Sequence, residues 1–256
     1  MTLRLISLAV AALLCALPAR SETIVAGLSQ DMVSITTNFT GSEILIYGAV
    51  KREAPVPPDD APLEVVVTVQ GPSAPVVVRR KERRYGIWMN TEAVNISQAP
   101  SFYVIASSAP MDVAMSDTEK LRHSVTIPRA IRAVGIASEA EDAPNFVDAL
   151  VRLEEERGDY AMAENSVILV EETLFRADIA LPANLTEGNY IVRLFITRDG
   201  AVVDLHEEVI IVNKAGFERL IHVLAHDQPL LYGLLSLLLA VIAGWGASAG
   251  FALLRR

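Results

Sequence analysis

Apolar and polar positions alternate with a period of two through much of the chain's middle, and an unbroken apolar run stands at each end. In PLEVVVTVQGP, Leu63, Val65, Val67 and Val69 share one face opposite Glu64, Thr68 and Gln70, the pattern of a strand. Val33 and Ile35 alternate with Ser34 and Thr36, and FTGSEILIYGAV and APSFYVIASSAP are further β-rich runs bounded by Gly, Pro and Ser. A proline-rich loop, EAPVPPDDAPLE, lies between them. Short strands with turn signals at this spacing predict an immunoglobulin-like antiparallel β-sandwich over residues 22–110. There is no Cys–Trp–Cys signature, so the likeness is one of architecture.

From about Met111 the texture changes, and residues 111–213 read as an α+β lobe. EDAPNFVDALVRLEEERG is a punctuated helix: Asp142 is a candidate N-cap, Pro144 stands in the first turn, Phe146, Leu150 and Leu153 form a stripe, and Gly158 is the stop. Strands then return. Phe175, Ala177, Ile179 and Leu181 alternate with Arg176 and Asp178, and Tyr190, Val192, Leu194 and Ile196 with Arg193 and Thr197. Asp199-Gly200 signals a two-residue hairpin, and Leu185–Tyr190 resembles the turn into a tyrosine corner. The predicted body is therefore mainly β, with one clear helix.

The apolar ends have different meanings. Residues 1–21 read as a secretory signal peptide: Arg4 makes a positive start, Leu5 to Leu17 a short apolar core, Pro18 breaks it, and Ala19 and Ser21 are the small residues before a cut. Residues 214–228 are amphipathic, with Phe217, Leu220, Ile221 and Leu224 on one helical face. Pro229 to Leu254 contain no charge, and as a helix they extend about 39 Å, enough to span a bilayer with tilt. Arg255 and Arg256 follow as a cytoplasmic tail by the positive-inside tendency. These readings place the body in the periplasm, held by a single helix in the cytoplasmic (inner) membrane.

Composition sharpens this. The chain has 256 residues, 52% hydrophobic, a net charge of −9 and one cysteine, which excludes a disulfide framework or a Cys-rich zinc site. Four of its 22 cations, Arg4, Arg20, Arg255 and Arg256, lie in the end segments, so the exported region carries 18 against 31 acids, or −13. Such a surface repels nucleic acid. Cys15 belongs to the signal.

Candidate chemistry is sparse. Arg79, Arg80, Lys81, Arg83 and Arg84, with Trp88 close behind, form the densest basic run. They are candidates for binding an anion or an acidic partner. On a regular strand, however, Arg79, Lys81 and Arg83 face away from Arg80, Glu82 and Arg84, which suits a solvated hairpin tip equally. His222 and His226 have metal-compatible spacing but no further ligand nearby. Glu154–Glu156 read as a solvated helix face, and Asn184-Leu-Thr186 matches a glycosylation sequon. No thiol nucleophile, GxSxG elbow, P-loop or GxGxxG occurs, so neither an enzyme nor a cofactor or resident metal is expected. In the terminal helix, Ala243, Gly246, Ala247 and Gly250 fall at small-xxx-small spacing, candidates for packing against a second helix.

FTGSEILIYGAV, VVVTVQGPSAPVVVRRKERRYGIWMN, APSFYVIASSAP and FERLIHVLAHDQPLLYG…FALLRR together resemble a family of alphaproteobacterial transmembrane proteins over nearly the whole chain. The resemblance implies an exported domain with a C-terminal anchor in a Gram-negative inner membrane, and neighbours similar to sulfite or taurine exporter-type permeases. It supplies no catalytic residues. The expected function is a membrane-tethered periplasmic interaction module, an accessory subunit of a transporter, with the bilayer and a transporter-type protein or a second copy of its own helix as partners. The alternative is a periplasmic binding module for a small anion using the Arg79–Arg84 run.

Overall fold

Strands dominate the body, in the order β1 (Glu22–Leu28), β2 (Met32–Ile35), β3 (Ser42–Arg52), β4 (Leu63–Gln70), β5 (Ser73–Arg84), β6 (Ile87–Pro100) and β7 (Tyr103–Ser107). Helices α1 (Met111–Ala114), α2 (Asp117–Arg122), α3 (Ile127–Ala130) and α4 (Ala143–Arg157) follow. Then come β8 (Tyr160–Ala163), β9 (Ile168–Val170), β10 (Leu174–Leu181), β11 (Gly188–Arg198), β12 (Ala201–Lys214) and the apolar helix α5 (Pro229–Leu254). This computed structural model describes residues 22–36, 39–52, 61–132, 143–214 and 224–254. The signal segment, the proline-rich residues 53–60, Asp142, residues 215–223 with Phe217, Leu220, Ile221 and His222, and the terminal arginines lie outside the described residues.

Two sheets face each other. One has the antiparallel order β1-β3-β10-β9; the other has the order β2-β12-β11-β4-β7-β8. The period-two runs explain the packing: Leu63, Val65, Val67 and Val69 of β4 join Phe175, Ala177, Ile179 and Leu181 of β10 and Tyr190, Val192, Leu194 and Ile196 of β11 in one core between the sheets. The six-stranded sheet buries its second face as well. There Val66, Tyr103, Ile105 and Phe195 pack under the helices with Phe146 and Leu150 of α4. A strand covered on both sides needs apolar residues at successive positions, and the Val65-Val66-Val67 run supplies them.

The sandwich is not assembled from residues 22–110 alone. Strands from before and after residue 110 are neighbours in both sheets, β10 beside β3 and β11 beside β4. Nor are all pairs antiparallel: β2 runs parallel to β12 and β8 parallel to β7. β5 and β6 leave the sandwich and form a two-stranded ribbon of their own, with a single bridge from Gln98 of β6 to Arg132 besides. The physical reason lies in their composition. A strand carrying cations at five of its last six positions has little apolar surface to bury in a core.

Local signals behave as their chemistry requires. Asp199 and Gly200 both take positive φ, the condition for a type I′ turn, and Arg198 pairs with Ala201 across it. The Tyr190 hydroxyl donates to the Thr186 carbonyl at 3.0 Å, closing the tyrosine corner. At the end of α4, Gly158 has φ +78°; its N–H donates to Glu155 and that of Asp159 to Glu154, a Schellman cap. The α4 stripe differs in one place from its expected form: Leu153 is exposed, and Val147 and Val151 pack beside Phe146 and Leu150 instead. One corner is tied by charge, where Glu22 accepts from Arg52 at 2.9 Å and from Arg198 of the other sheet at 2.7 Å.

Candidate functional site

The basic run forms one strand of a two-stranded arm. Its inner end is held by apolar packing, with Val78, Val94, Ile96 and Ala99 buried in the helix-side core. Its tip is the Tyr85-Gly86 turn, both residues at positive φ, so Arg84 pairs with Ile87 and Arg83 with Trp88. The register shifts between Arg80 and Lys81, an irregularity of the bulge type that adds twist to a ribbon.

The six named residues divide between two faces. Arg80 is held on the inner face: its guanidinium meets Glu92 at 3.0 Å and lies 4.8 Å from the centre of the Phe146 ring. Arg84 pairs with Glu82 at 3.1 Å. Arg79, Lys81 and Arg83 lie on the opposite face and are exposed, and cross-strand pairing brings Trp88 to that face beside Arg83. No carboxylate among the described residues pairs with these three cations. The structure thus joins three cations to one indole and leaves the other two cations behind them. A single anion cannot be gripped by all five.

Sequence reasoning singled out Trp88 but missed its apolar company. Tyr85 is fully exposed, and Ile87 (61%), Trp88 (70%) and Met89 (44%) are well exposed around it. Aromatic residues, Met and Arg at an exposed tip are the composition of interface anchors. The signal was present, because a two-residue turn at Tyr85-Gly86 fixes the register, with Trp88 opposite Arg83 and Ile87 and Met89 on the other face, opposite Arg84 and Glu82.

Other polar groups serve the fold. Arg193 reaches under the helices to donate to the His123 carbonyl at 2.7 Å and to the Tyr103 hydroxyl at 3.2 Å. The Tyr103 hydroxyl in turn donates to the Val125 carbonyl, and burial raises its pKa against the pull of the Arg193 charge. A groove of about 220 Å³ between the arm's root and the end of α4 is lined by Pro100, Ser101, Glu154, Arg157, Asp159 and Asn184. There the Asn184 amide is committed to the Asp159 carboxylate at 3.0 Å. Glu155 and Glu156 are exposed and Glu154 accepts from Arg157, as expected of a solvated helix face. His226 lies in the helical turn at residues 224–227, while His222 is outside the described residues.

Helix α5 contains the segment Pro229–Ala247, with a mean hydropathy of 2.0, none of it buried against the body, and it is the one described helix long and apolar enough to cross a membrane. Ala243, Gly246 and Ala247 are exposed on it, Gly250 lies one turn beyond Gly246, and the space above Gly246 is open. The protein is accordingly a membrane protein with a mainly β body and, among the described residues, one helix to span the bilayer. Neither a curated protein nor a solved structure matches the chain. Residues 23–253 match the family model described as "Putative transmembrane protein (Alph_Pro_TM)", and the chain belongs to this alphaproteobacterial transmembrane family.

Proposed function

We propose that the protein is an accessory subunit of a transporter-type complex: the β-rich body works in the periplasm as an interaction module, and α5 holds it in the inner membrane. The observation that carries this reading is the exposed β5–β6 arm, which presents Trp88 on the face of three cations without carboxylate partners, Ile87 and Met89 on the face of Glu82 and Arg84, and Tyr85 at the turn between them. Burying such a tip in a partner releases water from a large apolar area, and the Arg forks suit carboxylates around it. The exposed Ala243, Gly246 and Ala247 on α5 support a second, membrane-embedded contact. The small-anion alternative has less support, because the cations diverge.

Purification of the full-length protein in mild detergent tests this. A stoichiometric membrane partner is expected. Trp88→Ala with Arg83→Glu should lower its recovery by tenfold or more, as for an interface anchor, and Gly246→Leu with Gly250→Leu should lower it separately. A preparation containing only this chain, at whatever copy number, overturns the accessory role.

A further inference from the structure

The four-stranded sheet has one face in the core and one outside, and the outer face is apolar where a solvated sheet is ordinarily polar. Strand register lines up Val25 of β1, Ala49 of β3, Leu174 of β10 and Val170 of β9 in an unbroken row across all four strands. In the next row, Tyr47 and Ile168 flank Arg176. Val25, Leu174, Val170, Ile168 and Tyr47 are each between 49% and 59% exposed. The Tyr47 ring lies over Gly27, where a Cβ would come within 3.2 Å of its hydroxyl, so the glycine keeps the face low. Arg176, the one cation within the band, has its Nε and Nη2 bound to the Asp178 carboxylate at 3.0 Å each. Its charge therefore arrives already paired, which lowers the cost of covering it.

We propose that this face is where a second copy of the chain docks, sheet to sheet, about a two-fold axis crossing β3 beside Tyr47. The argument for that occupant is the order of outward residues along β3: Glu43, Leu45, Tyr47, Ala49, Lys51. An acid stands four residues before the tyrosine and a base four residues after it. A two-fold axis across the strand at Tyr47 lays the Tyr47 row on its own copy, sets the Ala49 row over the Leu45 row of the other chain, and brings Glu43 of each chain toward Lys51 of the other. The match is thus self-complementary, as a two-fold interface requires. Five half-exposed side chains offer roughly 500 Å² per copy, or about 1,000 Å² in all, the lower bound for a specific interface. Anchoring by α5 confines both copies to one membrane, which raises their effective concentration and makes a face of this size sufficient.

The full-length protein in nanodiscs or detergent, sized by light scattering, tests the proposal. Two copies are expected, and Val25→Asp with Leu174→Asp should give one. Glu43→Lys should shift the equilibrium toward one copy by about tenfold, and adding Lys51→Glu should restore it. A zero-length carboxyl–amine cross-linker should join Glu43 to Lys51. Within one chain these lie eight residues apart on an extended strand, about 26 Å, so that cross-linked peptide reports two chains. Circular dichroism and melting of each variant establish that the body still folds. A single copy in the wild type overturns the proposal. So does a two-copy state that survives the aspartates yet is lost in Gly246→Leu with Gly250→Leu, or a different protein covering the face. None of these results bears on the arm and its partner.

Discussion

At the scale of single residues, close packing decides which positions tolerate change. Gly48 sits inside β3 with the Phe175 ring lying where its side chain would be: a Cβ there would stand 2.5 Å from Cζ and 2.7 Å from the Val25 carbonyl oxygen. Gly48→Ala should therefore cost about 1–3 kcal/mol, the usual penalty of overpacking. Urea denaturation checks this through its midpoint. The direction of Trp88, by contrast, is a matter of parity rather than space. It was legible in the sequence once the Tyr85-Gly86 turn is placed, whereas the exposure of Ile87 and Met89 depends on the arm leaving the sheets, which no local pattern announces.

Among the elements, those with strong local punctuation were the ones the sequence revealed best. The β10 and β11 alternations and the Asp199-Gly200 turn lie where periodicity put them, and α4 ends at its glycine. Gly158→Ala should cost about 1 kcal/mol, because an L side chain is strained at φ +78°. Amide hydrogen exchange should show faster opening of the last turn of α4, with the β4 amides little changed. What periodicity could not supply was the choice of strand partners. Pairing of β3 with β10, or β4 with β11, depends on contacts far apart in the chain, and an apolar strand face fits many neighbours equally well. The same limit hid the outer face of the four-stranded sheet: Val25, Tyr47 and Leu174 are unremarkable alternating residues until register sets them side by side.

For the molecule as a whole, both cores contribute to the response to alkali. Burial raises the pKa of Tyr103, Tyr160 and Tyr190; charges from Glu154 and Asp159 add to the effect at Tyr160, and Asp159 adds to it at Tyr190. A raised folded-state value means that the unfolded chain loses these protons first. The stabilisation is whole below the unfolded value near 10 and is lost as pH rises through the folded values. Stability should therefore fall steeply above pH 10, and absorbance at 295 nm should show these three phenols ionising together with unfolding rather than before it. A gradual ionisation of all six tyrosines with the fold intact would contradict this.

The parallel pairing of β2 with β12 has a further consequence, in time rather than space. Met32 pairs with Ile211, about 180 residues later, and contacts of such separation form slowly. The larger sheet gains its β2 edge only after β12, the last strand of the body, has been made. Any cell that exports this chain from its N-terminus must keep Glu22–Leu28 and Met32–Ile35 from wrong pairings until then. In such a cell the larger sheet would be completed only as the apolar helix, which follows β12 in the chain, reaches the membrane.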